Sequence, residues 1–147
     1  RRGDIGRVFI QTHFPENPFF AKVITHDFVG FAKGLMQERK AAQFPPFGFF
    51  ALIRAESPHQ AQALQFLRKA RHDIKPSKGV MLMDAVPAPM ERRAGKFRAQ
   101  LLLCSNQRSA LNHTLTVWLH LLATDTEAKK LANAVRWSLD IDPLDHF

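Results

Sequence analysis

The chain has 147 residues, of which 46% are hydrophobic and 10% aromatic, so it can bury a core and does not have a disordered composition. Twenty-one Lys and Arg against thirteen Asp and Glu give a formal charge of +8, which favours a nucleic-acid partner or serves solubility alone. One cysteine, Cys104, excludes an internal disulfide, and no apolar run approaches the roughly 18 residues of a membrane helix, so we expect a cytoplasmic chain without a membrane partner.

The first 43 residues carry one strand pattern followed by two helix patterns. Ile5–Thr12 has the β-branched and aromatic run of a strand, although no neighbouring strand follows to pair with it. Asn17 and Pro18 can start a short helix, and apolar residues at helical spacing predict a longer helix over Asp27–Gln43. Pro45-Pro46 then stops that helix, because a proline disfavours helical geometry in the residue before it.

From Phe47 onward, strand and helix patterns alternate. The predicted strands are Phe47–Glu56, Val80–Val86, Lys96–Cys104 and Arg136–Ile141, and the predicted helices are Ser57–His72, Gln107–Ala123 and Thr126–Val135. Pro87-Ala88-Pro89 is expected to end the second strand, and Glu91–Gly95 is expected to form the turn before the third.

The main order, β-α-β-β-α-β, predicts an α+β class with the split βαβ, ferredoxin-like fold. In that fold two right-handed crossovers place both helices on one face of a four-stranded antiparallel sheet. We therefore expect the other sheet face to be free. A domain boundary is expected between residues 43 and 44, with a strand and helix tail before it and the split βαβ domain after it.

The most basic segment is Glu91–Arg98, at the predicted turn and the start of the third strand. Period-two alternation places Lys96 and Arg98 on one strand face and Phe97 on the other, while Arg92 and Arg93 fall in the turn. These cations form a candidate surface for tracking phosphates. The alternative is an exposed basic hairpin that only keeps the chain soluble.

The sequence contains no motif that predicts a catalytic site or a metal site. The sequence has no Gly-flanked serine elbow and no Gly-rich loop ending in Gly-Lys-Ser, so we assign it no catalytic residue and no ATP site. His113 and His120 share a helix face without a third ligand, so no metal site is predicted. Asp140 and Asp142 could act as paired acids, but a solvated strand end is the favoured interpretation.

Four phenylalanines are concentrated between Phe44 and Phe50, around Pro45-Pro46. Exposed rings at this place could stack nucleic-acid bases. The favoured interpretation is a hinge whose rings seal two lobes, because the prolines mark the change from helix to sheet.

Four blocks, in order along nearly the whole chain, resemble the PriA family of bacterial replication-restart helicases. Gly6–Pro18 is similar to the segment after the family's last helicase motif, and Glu38–Phe47 is similar to its Glu-Arg and Pro-Pro-aromatic junction. Val86–Leu103 resembles the family's hairpin signature, and Arg136–Pro143 resembles its ending.

The resemblance implies that Arg1–Gln43 ends the second helicase lobe, with Arg1 or Arg2 as the last arginine of the final helicase motif. The remainder is then the family's C-terminal domain, whose fold is like that of the tenth small-subunit ribosomal protein. The family couples ATP hydrolysis to 3′-to-5′ DNA unwinding at stalled forks. Its ATP, magnesium and zinc sites are implied to lie outside this chain, which is then expected to hold no cofactor and not to be catalytic alone.

The resemblance also implies roles for particular residues. The DNA-binding set is Arg39, Lys40, Arg92, Arg93, Lys96 and Arg98. Arg108 and Asn112 lie one helical turn apart, about where the family offers an Arg and a Gln to the acidic tail of single-stranded DNA-binding protein. Other primosome proteins are further implied partners.

Three functional hypotheses follow. In the first, the chain is an accessory domain that holds forked or single-stranded DNA in a replication-restart helicase. In the second, it is a protein-interaction module for the acidic tail of single-stranded DNA-binding protein. A third, an RNA-binding domain of ribosomal type, depends on fold and charge alone.

Overall fold

The computed structural model of the chain describes residues 6–143, which form two compact units. The division between the units falls at Glu38 and Arg39, inside the second helix. Arg1, Arg2 and Ile5 lie outside the described residues. The predicted domain boundary between residues 43 and 44 stays a prediction.

The first unit contains helix α1, Pro18–Ile24, and most of helix α2, Phe28–Ala41. The side chain of Asn17 caps α1 by accepting a hydrogen bond from the backbone N–H of Phe19. The Asp27 carboxylate accepts a hydrogen bond from the backbone N–H of Gly30 at 2.8 Å. Both predicted helices are therefore confirmed, with the longer one ending at Ala41.

The predicted first strand is wrong over residues 6–12, which have no strand geometry. The side chains of Val8 and Phe9 are each 88% exposed. A strand is stable only when its backbone groups pair with a neighbour, and an apolar run predicts a strand without supplying that neighbour.

The second unit contains the sheet. In chain order its elements are β1 Phe49–Ser57, α3 Gln60–Asp73, β2 Val80–Leu82, β3 Val86–Arg93, β4 Lys96–Ser105, α4 Arg108–Thr124, α5 Thr126–Asn133 and β5 Arg136–Ile141. The strands are antiparallel in the order β5, β1, β4, and both β2 and β3 pair with the far side of β4. Since β2 and β3 together take the place of one strand, the predicted split βαβ fold is confirmed.

The second predicted strand is wrong in its extent, because Pro87 and Pro89 lie inside β3 and do not end a strand. Proline is tolerated there since β3 is an edge strand, and one side of its backbone needs no partner. The turn between β3 and β4 is only Ala94-Gly95, with φ of 49° and 77°. Arg92 and Arg93 are therefore strand residues.

The core lies between the sheet and helices α3, α4 and α5. Alternate residues of β1 and β4 point towards the helices, and Ile53, Leu101 and Leu103 are fully buried there. Trp118 of α4 packs its ring against Trp137 of β5, with ring centroids 5.7 Å apart. Burial of each large apolar side chain of this kind stabilises the fold by about 1.5–3 kcal/mol.

The opposite sheet face is free only in part. Phe50 and Leu52 lie on that face at the start of β1, yet they are 2% and 0% exposed. The ring of Phe44 contacts Phe50 with centroids 5.5 Å apart, so the Phe44–Phe50 segment helps to cover this end of the face. Among the described residues, the half that carries Arg54 and Glu56 is less covered, with 30% and 29% of these side chains exposed, and it is the half beside the β3–β4 hairpin.

Candidate nucleic-acid interface

The β3–β4 hairpin divides the predicted basic cluster between the two faces of the sheet. Arg92 pairs across the strands with Phe97, and its guanidinium lies 5.3 Å from the centroid of that ring. Arg93 pairs with Lys96, and Arg98 follows two residues later on the same face. The predicted separation of Lys96 and Arg98 from Phe97 is confirmed, whereas Arg92 lies on the opposite face from Arg93, Lys96 and Arg98.

The open face continues from this hairpin across β1 and β5. The pairing register sets Glu56 of β1 between Arg98 of β4 and Arg136 of β5, and it sets Arg54 beside Ser138. A groove of about 280 Å³ crosses these strands. We call it the basic trough and define it by Arg54, Glu56, Ala88, Arg98, Arg136 and Ser138, which line it together with Trp137.

Ion pairs neutralise some of the cations on this face. Arg54 pairs with Asp140 at 2.6 Å, and Glu56 lies 3.3 Å from the Lys96 ammonium and 3.6 Å from the Arg136 guanidinium. No carboxylate of residues 6–143 lies within 4.0 Å of the Arg93 or Arg98 guanidinium. These two cations therefore offer the face an uncompensated positive charge.

Sequence reasoning missed Arg54 and Arg136 as members of this surface. Each looks like an ordinary charged residue in its own strand, because only the antiparallel register shows that they are neighbours. Period-two alternation from Leu52 could have placed Arg54 on the open face, but nothing local could have joined Arg136 to Arg98.

Arg39 and Lys40, which complete the predicted DNA-binding set, lie near the end of α2 and are exposed. The Arg39 guanidinium donates a hydrogen bond to the carbonyl oxygen of Pro45 at 3.1 Å. These two cations are therefore on a different element from the hairpin, and Arg39 is tied to the loop that leads into β1.

Arg108, the predicted partner-binding cation, begins α4. Its guanidinium pairs with the Asp142 carboxylate at 2.6 Å and lies 4.6 Å from the ring centroid of Phe49. Asn112 lies one turn further along α4, and its side chain is exposed. Asp140 and Asp142, considered as paired acids, are instead engaged by Arg54 and Arg108 respectively.

Cys104 is half-buried on the same sheet face, opposite Phe50 in β1. Burial raises the pKa of its thiol, so the sulfur stays protonated at neutral pH. Cys104 therefore behaves as a small packing residue.

The sequence of the chain matches the model of a known protein family. The family described as "Primosomal protein N C-terminal domain" matches residues 40–144, a range that includes the whole sheet and helices α3, α4 and α5. The chain belongs to the PriA family. The predicted resemblance to PriA is therefore confirmed.

Two curated PriA relatives illustrate the similarity. The replication restart protein PriA of Haemophilus influenzae is 34% identical over 143 residues, which are 95% of this chain and 19% of the relative. The PriA protein of Rickettsia conorii is 29% identical over 143 residues, 97% of this chain and 21% of the relative. The chain therefore spans about a fifth of the length of these PriA relatives.

Among solved structures, a dimeric ferredoxin-like protein from an uncultured marine organism has a TM-score of 0.49 and 9% sequence identity. The match covers 64% of this chain and 92% of that one.

Within residues 6–143 no helix is both long enough and apolar enough to cross a membrane.

Proposed function

We propose that this chain is the DNA-binding and partner-binding domain of a cytoplasmic replication-restart helicase, and that it holds forked or single-stranded DNA. The observation that carries the proposal is the grouping of Arg93, Lys96 and Arg98 on one open sheet face. Cations on one face attract the phosphate backbone, since each phosphate that they neutralise releases condensed counterions. ATP hydrolysis, magnesium and zinc belong, in this proposal, to the part of the relatives that the chain does not span.

The distribution of charge along the chain supports a polyanionic partner. Sixteen of the twenty-one Lys and Arg residues lie from Arg39 onward, against nine Asp and Glu. The excess of cations is therefore concentrated in the part that carries the sheet. The relatives' shared name, replication restart protein, points to DNA as that polyanion.

Charge reversal on the hairpin tests the proposal. We expect the triple variant Arg93→Glu, Lys96→Glu, Arg98→Glu to bind a labelled fork at least about tenfold more weakly than the original chain in a fluorescence anisotropy titration. The matched control is Arg68→Glu, Lys75→Glu, Lys130→Glu, which makes the same change of net charge at exposed positions outside the trough. Equal binding by the two triple variants would contradict the proposal.

A second candidate function, binding of the acidic tail of single-stranded DNA-binding protein, is favoured by the surroundings of Arg108. The guanidinium is oriented by the Phe49 ring and already pairs with one carboxylate, that of Asp142. A peptide carboxylate can take the same place, with the exposed Asn112 one turn away to donate a hydrogen bond.

Two substitutions with opposite expected effects test this second function. Arg108→Glu should abolish binding of the acidic peptide while leaving fork affinity within about twofold. Asp142→Asn should strengthen peptide binding, because it removes the carboxylate that competes for Arg108. Peptide affinity that is unchanged in both variants would contradict the assignment.

Titrations with RNA of the same length as the DNA test the third hypothesis, an RNA-binding domain of ribosomal type. That hypothesis requires tighter binding of RNA than of DNA.

A further inference from the structure

The basic trough crosses four of the five strands of the sheet. Ala88 lines it from β3, Arg98 from β4, Glu56 from β1 and Ser138 from β5. Neighbouring strands lie about 4.8 Å apart, so these four strands span roughly 14 Å. The trough is thus longer than a single small anion requires and matches a segment of an extended chain.

The cations of the trough are spaced along this length. Arg98 and Arg136 flank Glu56 in the pairing register, which puts them two strand spacings apart, or roughly 10 Å. The side chain of Arg136 is 80% exposed, and its 3.6 Å contact with Glu56 is long enough to be exchanged for a stronger one. Two separated cations suit a ligand that carries several charges in a row.

The two aromatic rings nearest to these cations in sequence belong to the other side of the sheet. Trp137 packs within 6 Å of Phe66 and Trp118 in the core, with ring centroids 5.9 Å and 5.7 Å apart. Trp137 is among the residues that line the trough, but its ring is engaged in these core contacts. The guanidinium of Arg92 lies over one face of the half-buried Phe97 ring, on the opposite side of the sheet from Arg98. A ligand in the trough therefore meets guanidinium groups, the Glu56 carboxylate and small side chains, where base stacking would require an exposed ring.

We propose that the basic trough is a subsite for the sugar–phosphate backbone of one DNA strand, held through Arg98 and Arg136 without reading of the bases. Ala88 and Ser138 leave room for the backbone because their side chains are small. This subsite rests on the proposed DNA-binding function and names the part of the DNA that the sheet face contacts.

Steric blocking without a change of charge tests the subsite in the full chain. Ala88→Leu fills the trough from β3, and Ser138→Leu fills it independently from β5. We expect each folded variant to bind a single-stranded oligonucleotide about fivefold or more weakly, since a bulky side chain excludes the backbone from its phosphate contacts. Asn133→Leu, at another exposed position, is the matched control and should bind as the original chain does.

Competition on the unaltered chain tests the claim about bases and needs no variant. An oligonucleotide of the same length built from abasic nucleotides should displace the labelled strand within about twofold of the potency of the normal oligonucleotide. A loss of potency of about tenfold or more would overturn backbone recognition, because stacking contributes strongly to each base that is bound.

The hairpin variant and the blocking variants together distinguish a failure of the subsite from a failure of DNA binding by this face. If the hairpin triple variant keeps its fork affinity, DNA binding by this face is wrong, and the subsite fails with it. If that variant loses affinity but both folded blocking variants bind normally, the face binds DNA and the trough does not hold the backbone.

Discussion

At the scale of single residues, Glu56 opposes the function proposed for its surroundings. Its carboxylate lies between Lys96 and Arg136 and lines the trough in which we propose that phosphates bind. A fixed carboxylate there repels DNA and engages two cations, while it also keeps those cations oriented across three strands. The balance of these effects is measurable.

We predict that Glu56→Gln raises fork affinity by about threefold at low salt, because the repulsion is removed while a hydrogen-bonding group remains. The measurement is an anisotropy titration at two salt concentrations, in which the gain should shrink as salt is added. Asp84→Asn, an equal change of charge at a side chain that is 83% exposed, is the control and should give a smaller gain. Weaker binding by Glu56→Gln would show that orientation of the cations matters more than repulsion.

Residue patterns in the sequence predict only part of this surface. The alternation of Lys96, Phe97 and Arg98 is local, so their faces could be predicted correctly. The faces of Arg92 and Arg93 depend on where the turn begins, and a single shift of the turn reverses the face of each residue. Arg136 belongs to this surface only because β5 pairs with β1, which is remote in sequence.

At the scale of elements, the hairpin turn carries a local strain. Ala94 has a φ of 49°, a left-handed conformation that costs a residue with a Cβ atom about 1–2 kcal/mol unless its side chain offsets the cost. Gly95 follows with a φ of 77°, which glycine adopts readily. The turn therefore has the geometry of a two-residue hairpin without the favoured residue at its first position.

We predict that Ala94→Asn raises the free energy of unfolding by about 0.5–1 kcal/mol, because asparagine tolerates the left-handed conformation better than alanine. Urea denaturation followed by circular dichroism measures the change. Ala94→Val is the opposing control and should lower stability, since a β-branched side chain is strained at positive φ. No difference between the two variants would contradict the turn geometry.

A second element-scale feature is the end of α3, where Lys69 donates hydrogen bonds to the Asp73 carboxylate, whose side chain is 8% exposed. Burial acts to raise the pKa of Asp73, but hydrogen bonds from Lys69 and His72 outweigh it and hold the pKa below its ordinary value. A carboxyl group whose pKa falls on folding stabilises the fold above its unfolded pKa, and that contribution is lost as the pH falls towards the folded pKa.

We predict that Asp73→Asn lowers the free energy of unfolding at pH 7 by about 1–2 kcal/mol. We also expect the free energy of unfolding to depend less on pH in the acidic range, because the titrating carboxylate is gone. The difference between Asp73→Asn and the original chain should shrink as the pH is lowered from about 5 to about 2, since both chains then carry a neutral group. Thermal or urea unfolding across this range measures it. A difference that stays constant with pH would contradict the lowered pKa of Asp73.

Helices and strands differed in how far the sequence could predict them. The helices and β5 can be predicted from local hydrophobic periodicity and from the residues that end an element. The predicted β5 has the observed bounds of Arg136–Ile141. The break between β2 and β3 was missed because Pro87 and Pro89 were expected to end a strand, whereas an edge position accepts them. Residues 6–12 failed as a strand because pairing cannot be deduced from composition.

At the scale of the whole molecule, the net positive charge can act as a general attraction or through one face. The cations of the second unit are divided between its two faces, and Arg54, Arg98 and Arg136 line the groove on the open sheet face. A general attraction through net charge would make every cation contribute alike. Binding through one face makes a few of them contribute most of the salt dependence.

The most direct test measures how the fork-binding constant changes with salt concentration. For Arg93→Ala, Lys96→Ala, Arg98→Ala, we expect the slope of log K against log salt to be smaller in magnitude by about 2–3, since each lost phosphate contact removes about 0.9. For Arg68→Ala, Lys75→Ala, Lys130→Ala, the slope should stay close to that of the original chain. If both triple variants changed the slope equally, DNA would be held by net charge and not by this face.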